Sequence, residues 1–146
     1  MNLNKGSVVV SGFPGIGKSY LCKMGGDKIE DLSHIRFNSE FFPEFYVDHI
    51  MSLLGKREII LISSHRDVLI ELERVGIDYI LVHPSRKSKN EYINRYKSMN
   101  LSSQFINTFD SKWESYLRDI ESACPSKRIV LKSGEYLKDR LNSLYL

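Results

Sequence analysis

Val8-Val9-Val10-Ser11-Gly12-Phe13-Pro14-Gly15-Ile16-Gly17-Lys18-Ser19 is the stretch whose reading decides the fold. Together with Ser7, its first part is a short β-branched run, which fits a buried parallel strand better than a helix of that length. The glycine cluster ends the strand, and Lys18 to Met24 can then form a short helix that Gly25-Gly26 stops by supplying a left-handed cap. The segment Gly12 to Ser19 matches the pattern G-x-x-x-x-G-K-[ST], set between strand and helix as that pattern requires. Glycines let successive backbone N–H groups turn onto phosphate oxygens, the positive helix end adds field, and the lysine reaches the distal phosphates. On this reading Gly12, Pro14, Gly15, Ile16, Gly17, Lys18, Ser19 and Tyr20 cradle a nucleoside triphosphate, ATP, with the Ser19 hydroxyl on Mg2+. That fixes a ligand and leaves the reaction open.

Strand and helix alternate through the rest of the chain. Lys28 to Leu32 predicts a weak second strand, and Pro43 opens a helix whose Val47, Ile50, Met51 and Leu54 fall on one face before Gly55. Glu58 to Ile62 reads as a central strand, with Ser63-Ser64 as candidate caps for a helix carrying Val68, Leu69, Leu72 and Val75 up to Gly76. Tyr79 to Val82 is a further strand, and a basic amphipathic stretch from Arg86 to Met99 carries Tyr92, Ile93 and Tyr96 on one side. A long helix, Ser103 to Ala123, places Phe105, Phe109, Trp113, Tyr116 and Ile120 at helical spacing, which reads as a packing face rather than a base-stacking surface. Arg128 to Leu131 closes the series as a strand, and Glu135 to Leu144 can dock as a terminal helix. The predicted fold is α/β, a three-layer sandwich around a mostly parallel five-stranded sheet. No linker, internal repeat or low-complexity segment divides residues 1–146, which read as one domain.

A chain of 146 residues that is 42% hydrophobic and 27% charged suits one globular domain and excludes disorder, collagen and a disulfide scaffold. No apolar run approaches the roughly 18 residues of a membrane span, and Val8-Val9-Val10 is too short for the core of a signal peptide. The expectation is a cytoplasmic protein with no membrane partner. Cys22 and Cys124 lack the spacing of a metal or redox motif and read as core residues. The formal charge of +3 suits anionic small molecules and nucleic acid alike.

In phosphoryl transfer a protein mainly positions groups and neutralises charge, so the remaining candidates are arginines and a carboxylate. Arg66 follows the third predicted strand, at the end of the sheet where ligands bind. Arg86, Lys87, Lys89, Arg95 and Lys97 concentrate charge after the fourth strand. Arg95 lies nine residues beyond Arg86, so both face one side only if the segment bends or starts irregularly. The third strand ends Leu61-Ile62-Ser63-Ser64 without an aspartate, which leaves Asp31, after the weak second strand, to order a magnesium water or accept a hydroxyl proton. Asp31 reads equally as a turn residue, and Ser64 offers a metal contact through water.

The segment Gly12-Phe13-Pro14-Gly15-Ile16-Gly17-Lys18-Ser19 resembles the loop of adenylate kinase and other small nucleotide kinases. Further segments, Phe42-Pro43-Glu44-Phe45-Tyr46, Ile62 to Val68, Val82 to Arg86 and Glu91 to Tyr96, resemble a group of phage and prophage P-loop proteins usually labelled nucleotide kinases. This resemblance implies a P-loop nucleotide kinase-like fold, a location in the host cytoplasm if phage-encoded, and a short helical lid-like segment at about 85–100. It implies ATP-dependent phosphoryl transfer to a nucleotide or nucleoside, with Lys18 on the triphosphate and Arg66 on the acceptor's phosphate. Arg86 and Arg95 then bracket the transferred group. The alternatives are a kinase of DNA 5′-hydroxyls or modified bases, with nucleic acid the less favoured partner, and a non-catalytic ATP-binding accessory module.

Overall fold

The computed structural model describes residues 3–33 and 42–145. Five parallel strands, β1 (Val8–Gly12), β2 (Ile29–Asp31), β3 (Ile59–Ser63), β4 (Ile80–Pro84) and β5 (Lys127–Leu131), form one sheet in the order β2-β3-β1-β4-β5. The helices are α1 (Lys18–Gly25), α2 (Glu44–Leu53), α3 (Arg66–Val75), α4 (Lys89–Ser98) and α5 (Ser103–Glu121). Every strand-to-strand connection is a crossover, and right-handed crossovers put leftward and rightward connections on opposite faces. The β1-to-β2 connection runs against the other three, so α1 covers one face and α2 to α5 the other. A terminal 3-10 segment, Leu137–Leu144, packs beside α1, and α2 packs beside α3, in agreement with that division.

Both faces of the central strands are covered, which explains their unbroken apolar runs. Val9 and Val10 of β1, and Ile59 to Ile62 of β3, are all buried. The three residues of β2 pair Ile29 with Ile59 and Asp31 with Leu61 at one edge of the sheet. Beyond that edge, the Tyr46 hydroxyl donates to the Leu32 carbonyl at 2.8 Å and accepts from the Ser63 amide at 3.2 Å. One phenol therefore fixes the carboxyl ends of β2 and β3 relative to each other.

Several expectations need correction. Met51 is 44% exposed, because α2 turns Tyr46, Val47, Ile50 and Leu54 inward and leaves Met51 beyond the margin of that face. α3 is capped by the His65 ring, whose Nδ1 accepts from the Asp67 amide at 3.2 Å, rather than by Ser63-Ser64. The expected terminal helix is present as a 3-10 helix over Leu137–Leu144, kinked at Arg140. Cys124 is exposed, and only Cys22 packs against the core. Among the described residues no helix is long and apolar enough to cross a membrane.

Tyr46→Phe removes one donor and one acceptor from a buried position and leaves the Leu32 carbonyl without its phenol partner. The expected loss of stability is about 1–3 kcal/mol, read as a lower denaturant midpoint at unchanged m-value. An unchanged midpoint would show that this bridge contributes nothing.

Candidate functional site

The loop between β1 and α1 lies at the carboxyl end of the sheet's middle strand, with the loops after β3 and β4 on either side. In open parallel sheets this is where chain connections diverge and leave a crevice. A cavity of about 1240 Å³ opens there, lined by the glycine loop, by Ser63 to Arg66 after β3, by one side of α4 and α5, and by the turn after β5.

The carbonyls of this loop are held one after another, the first two by its own lysine and the next three from outside. Lys18 Nζ donates to the Gly12 carbonyl and, at 3.4 Å, to that of Phe13. The Tyr96 hydroxyl donates to the Pro14 carbonyl at 2.8 Å, Arg95 Nη1 to that of Gly15 at 2.8 Å, and the Leu137 amide to that of Ile16 at 2.8 Å. With the carbonyls so occupied, the amides of Gly15, Gly17, Lys18, Ser19 and Tyr20 find no acceptor among the described residues. Free amides at a helix start attract an anion through hydrogen bonds and the helix dipole together. The glycines are required by shape. Gly15 has φ +94°, and a Cβ there would lie 3.0 Å from the Tyr96 ring and 3.2 Å from that of Tyr92. Gly17 has φ +97° and faces Tyr136, while a Cβ on Gly12 would overlap Ile16.

Behind the loop, Phe13 is buried edge-on against Tyr92, Phe109 and Trp113, and Ile16 is buried as well. Ser19 and Tyr20 stand exposed at the start of α1. Desolvation brings the Lys18 ammonium down from its usual 10.5 to about 8, offset in part by the negative charge of Asp31. Asp31 is itself buried at the end of β2, with Oδ1 accepting from the Ser33 amide at 2.9 Å and the Ser33 hydroxyl at 2.6 Å. Ser33 lines the cavity and Asp31 stands one step behind it.

The arginines take three different positions. Arg66 begins α3, lines the cavity, and has no ion pair or hydrogen bond from its guanidinium among the described residues. Arg86 lies outside the cavity, paired with Glu121 at 2.6 Å and Glu114 at 3.1 Å on α5. Arg95 is only 9% exposed, sandwiched between the Tyr92 and Tyr136 rings at 4.3 and 3.8 Å. Its Nη2 donates to Glu91 Oε2 at 2.6 Å and to the Glu135 carbonyl at 2.9 Å. The segment does start irregularly, with a 3-10 turn at Arg86–Ser88, yet Arg86 and Arg95 face different ways because each is drawn to its own carboxylate.

Sequence reasoning missed the partners of Arg95. Glu91 accepts from Ser133 Oγ at 2.7 Å and from the Gly134 amide at 3.0 Å, so it ties α4 to the turn after β5. Desolvation acts to raise its carboxyl, but the Gly134 amide, the Ser133 hydroxyl and Arg95 outweigh it and hold the group below the usual carboxylate range. Glu91 and Arg95 at i, i+4 were a legible pair, whereas Ser133, Gly134 and Tyr136 had no signal near the loop. The aromatic stripe of α5 is a packing face, with Trp113 and Ile120 buried and Phe105, Phe109 and Tyr116 half-buried against the core, and Phe105, Phe109, Tyr116 and Ile120 also line the cavity.

The donor set matches a polyanion, with amides and an arginine that have no partner among the described residues, and a lysine, around one cavity. Hydroxyl and carboxylate oxygens at Ser19 and Asp31 are hard ligands of the kind magnesium takes, although among the described residues no group of three or more His, Cys, Asp or Glu side chains gathers to hold a metal.

Between about pH 8 and 10.5 the folded protein holds fewer protons at Lys18 than the unfolded chain, so stability rises with pH across that window through this group. An anion bound at Lys18 restores its proton. Tripolyphosphate binding near pH 8 is therefore expected to take up a proton, seen as a calorimetric enthalpy that varies with the buffer's ionisation enthalpy. Lys18→Met abolishes that dependence. Arg95→Lys keeps the charge but loses the planar fork, and the expected loss of stability lies near the lower end of the ~3–5 kcal/mol seen when a buried pair is broken. Searches with this chain find no matching family model and no matching curated protein.

Proposed function

We propose that the chain is a P-loop nucleotide kinase-like protein that binds magnesium-ATP at the glycine loop and transfers its terminal phosphoryl group to a nucleotide or nucleoside. The observation that supports this most is the loop itself, whose carbonyls at Gly12 and Phe13 are held by Lys18 and at Pro14, Gly15 and Ile16 by residues outside it, while among the described residues the amides at the start of α1 find no acceptor.

In this reading the amides of Gly15, Gly17, Lys18, Ser19 and Tyr20 and the Lys18 ammonium hold the β and γ phosphates. To do so, Lys18 exchanges the carbonyls of Gly12 and Phe13 for phosphate oxygens. Ser19 and, through water, Asp31 are the residues that hold Mg2+, which when bound supplies positive charge to the phosphate oxygens. Arg66, unpaired in the cavity, holds the acceptor's phosphate. An acceptor oxygen forms a bond to the γ phosphorus, the bond to the β–γ bridging oxygen breaks, ADP leaves, and the acceptor's hydroxyl proton, where there is one, passes to Asp31 or solvent. Arg95 acts as a positioning residue that fixes the loop, and its partners differ from those expected of a group bracketing the transferred phosphoryl. The short helical segment at 85–100 stands in the lid position.

A second reading, an ATP-binding accessory module without efficient transfer, is favoured by a specific observation. β3 ends in Ser63 without a carboxylate, and Arg86 is engaged on α5.

A coupled ADP-release assay with magnesium-ATP and a panel of nucleoside monophosphates, nucleosides and 5′-hydroxyl DNA tests both readings. Acceptor-dependent ADP release, lost about a hundredfold or more in Lys18→Ala and lowered chiefly through acceptor KM in Arg66→Ala, is expected of the kinase. ATP binding without acceptor-dependent release selects the accessory module. A DNA acceptor would show itself by affinity that falls steeply with salt.

A further inference from the structure

The long helix α5 buries one part of its apolar stripe and presents the rest. Phe105, Phe109 and Tyr116 are half-buried and open onto the cavity, and Met99, 54% exposed, and Leu101 extend the same wall. The rings hold one another in place. Phe105 and Phe109 stack with centroids 4.6 Å apart and planes at 26°, and Tyr116 lies 4.9 Å from Phe109. Tyr96 stands edge-on to both phenylalanines and donates its hydroxyl to the Pro14 carbonyl. A preformed aromatic wall is thereby fixed beside the glycine loop.

Two observations indicate what it takes. First, Asp119 lines the same cavity, and its carboxylate has no hydrogen bond or ion pair among the described residues, whereas Glu91, the other acid on the lining, is saturated by Arg95, Ser133 and Gly134. Second, at about 1240 Å³ the cavity exceeds the roughly 300–1,000 Å³ of a pocket for one small ligand. Tyr116, one helical turn before Asp119, sets a flat π-face for stacking beside the Asp119 carboxylate, which accepts from N–H groups. Nucleobases combine both features, and those with an exocyclic amino group satisfy the carboxylate best. Bases whose edge pairs one N–H with two carbonyls set oxygen against oxygen there.

We propose that the Tyr116 end of this wall is a second subsite, which holds the base of the phosphoryl acceptor and selects amino-bearing bases through Asp119. The assignment of the ligand as an acceptor rests on the kinase reading; the binding of a base does not.

Calorimetry on the full chain separates the two. Adenosine, guanosine, cytidine and uridine, each as nucleoside and as monophosphate, are titrated with and without magnesium and a non-hydrolysable ATP analogue. The amino-bearing set is expected to bind about tenfold or more tightly than uridine. Asp119→Asn, which keeps shape and fold, is expected to remove that preference, and Tyr116→Leu, one helical turn from Asp119, to weaken every base several-fold. Affinity for the analogue alone is expected to stay within twofold in both variants. The proposal is overturned if no nucleoside or monophosphate binds, if binding ignores both substitutions, or if they weaken the analogue instead, which would give the wall to the triphosphate's own base. Failure of the analogue to bind the unaltered protein, with nucleosides still bound at the wall, would sink the kinase reading and leave the subsite standing.

Discussion

One buried guanidinium holds the site together. Arg95 reaches the Gly15 carbonyl and the Glu135 carbonyl, 80 and 40 residues away in sequence, and pairs with Glu91 on its own helix. A charge this deep is tolerable only because its hydrogen bonds are made and both its faces are covered by aromatic rings. The planar fork is what allows one side chain to engage three directions at once, which a lysine's point charge does not reproduce. Loop, helix α4 and the turn after β5 therefore keep a fixed relation, and the cavity between them has defined walls before any ligand arrives.

That arrangement sets the polarity of the loop. Lys18 and donors from outside the loop occupy its carbonyls, so the amides are left for a ligand at the positive end of α1. Such a loop is costly in backbone terms, with Gly15 and Gly17 both at positive φ and pressed against tyrosine rings. The expense falls on glycines, which adopt that conformation without a Cβ clash. Lys18 stays tucked under the loop, where desolvation lowers its proton affinity. An anion that draws it out restores its charge, so occupancy and protonation are linked at this one amine.

The aromatic residues of α4 and α5 serve two purposes that a single helical stripe cannot separate. Trp113 packs behind Phe13 and donates its indole N–H to the Arg86 carbonyl at 2.9 Å, supporting the loop from beneath. Phe105, Phe109 and Tyr116 continue the same stripe past the edge of the core and become cavity wall. Periodicity records which side of a helix is apolar. It does not record where the body covering that side stops.

The sequence by itself determined the alternation of strands and helices and the loop at the first strand's end, because these follow from local chemistry: β-branched runs, glycine conformations and helical spacing. It also determined that Lys18 sits at a helix start. Tertiary structure alone decided the strand order that puts β1 in the middle, since pairing between parallel strands leaves no trace in either strand's own residues. It decided that Arg66 lines the cavity with no ion pair among the described residues while Arg86 turns to Glu121 and Glu114, because an ion pair depends on a carboxylate at least 28 residues distant being brought within reach. It decided, too, that Ser133, Gly134 and Tyr136 join the loop's surroundings, which required β5 to lie beside β4 in the folded sheet. Contacts between segments remote in sequence depend on the completed packing, and those contacts turned a legible loop into a shaped site.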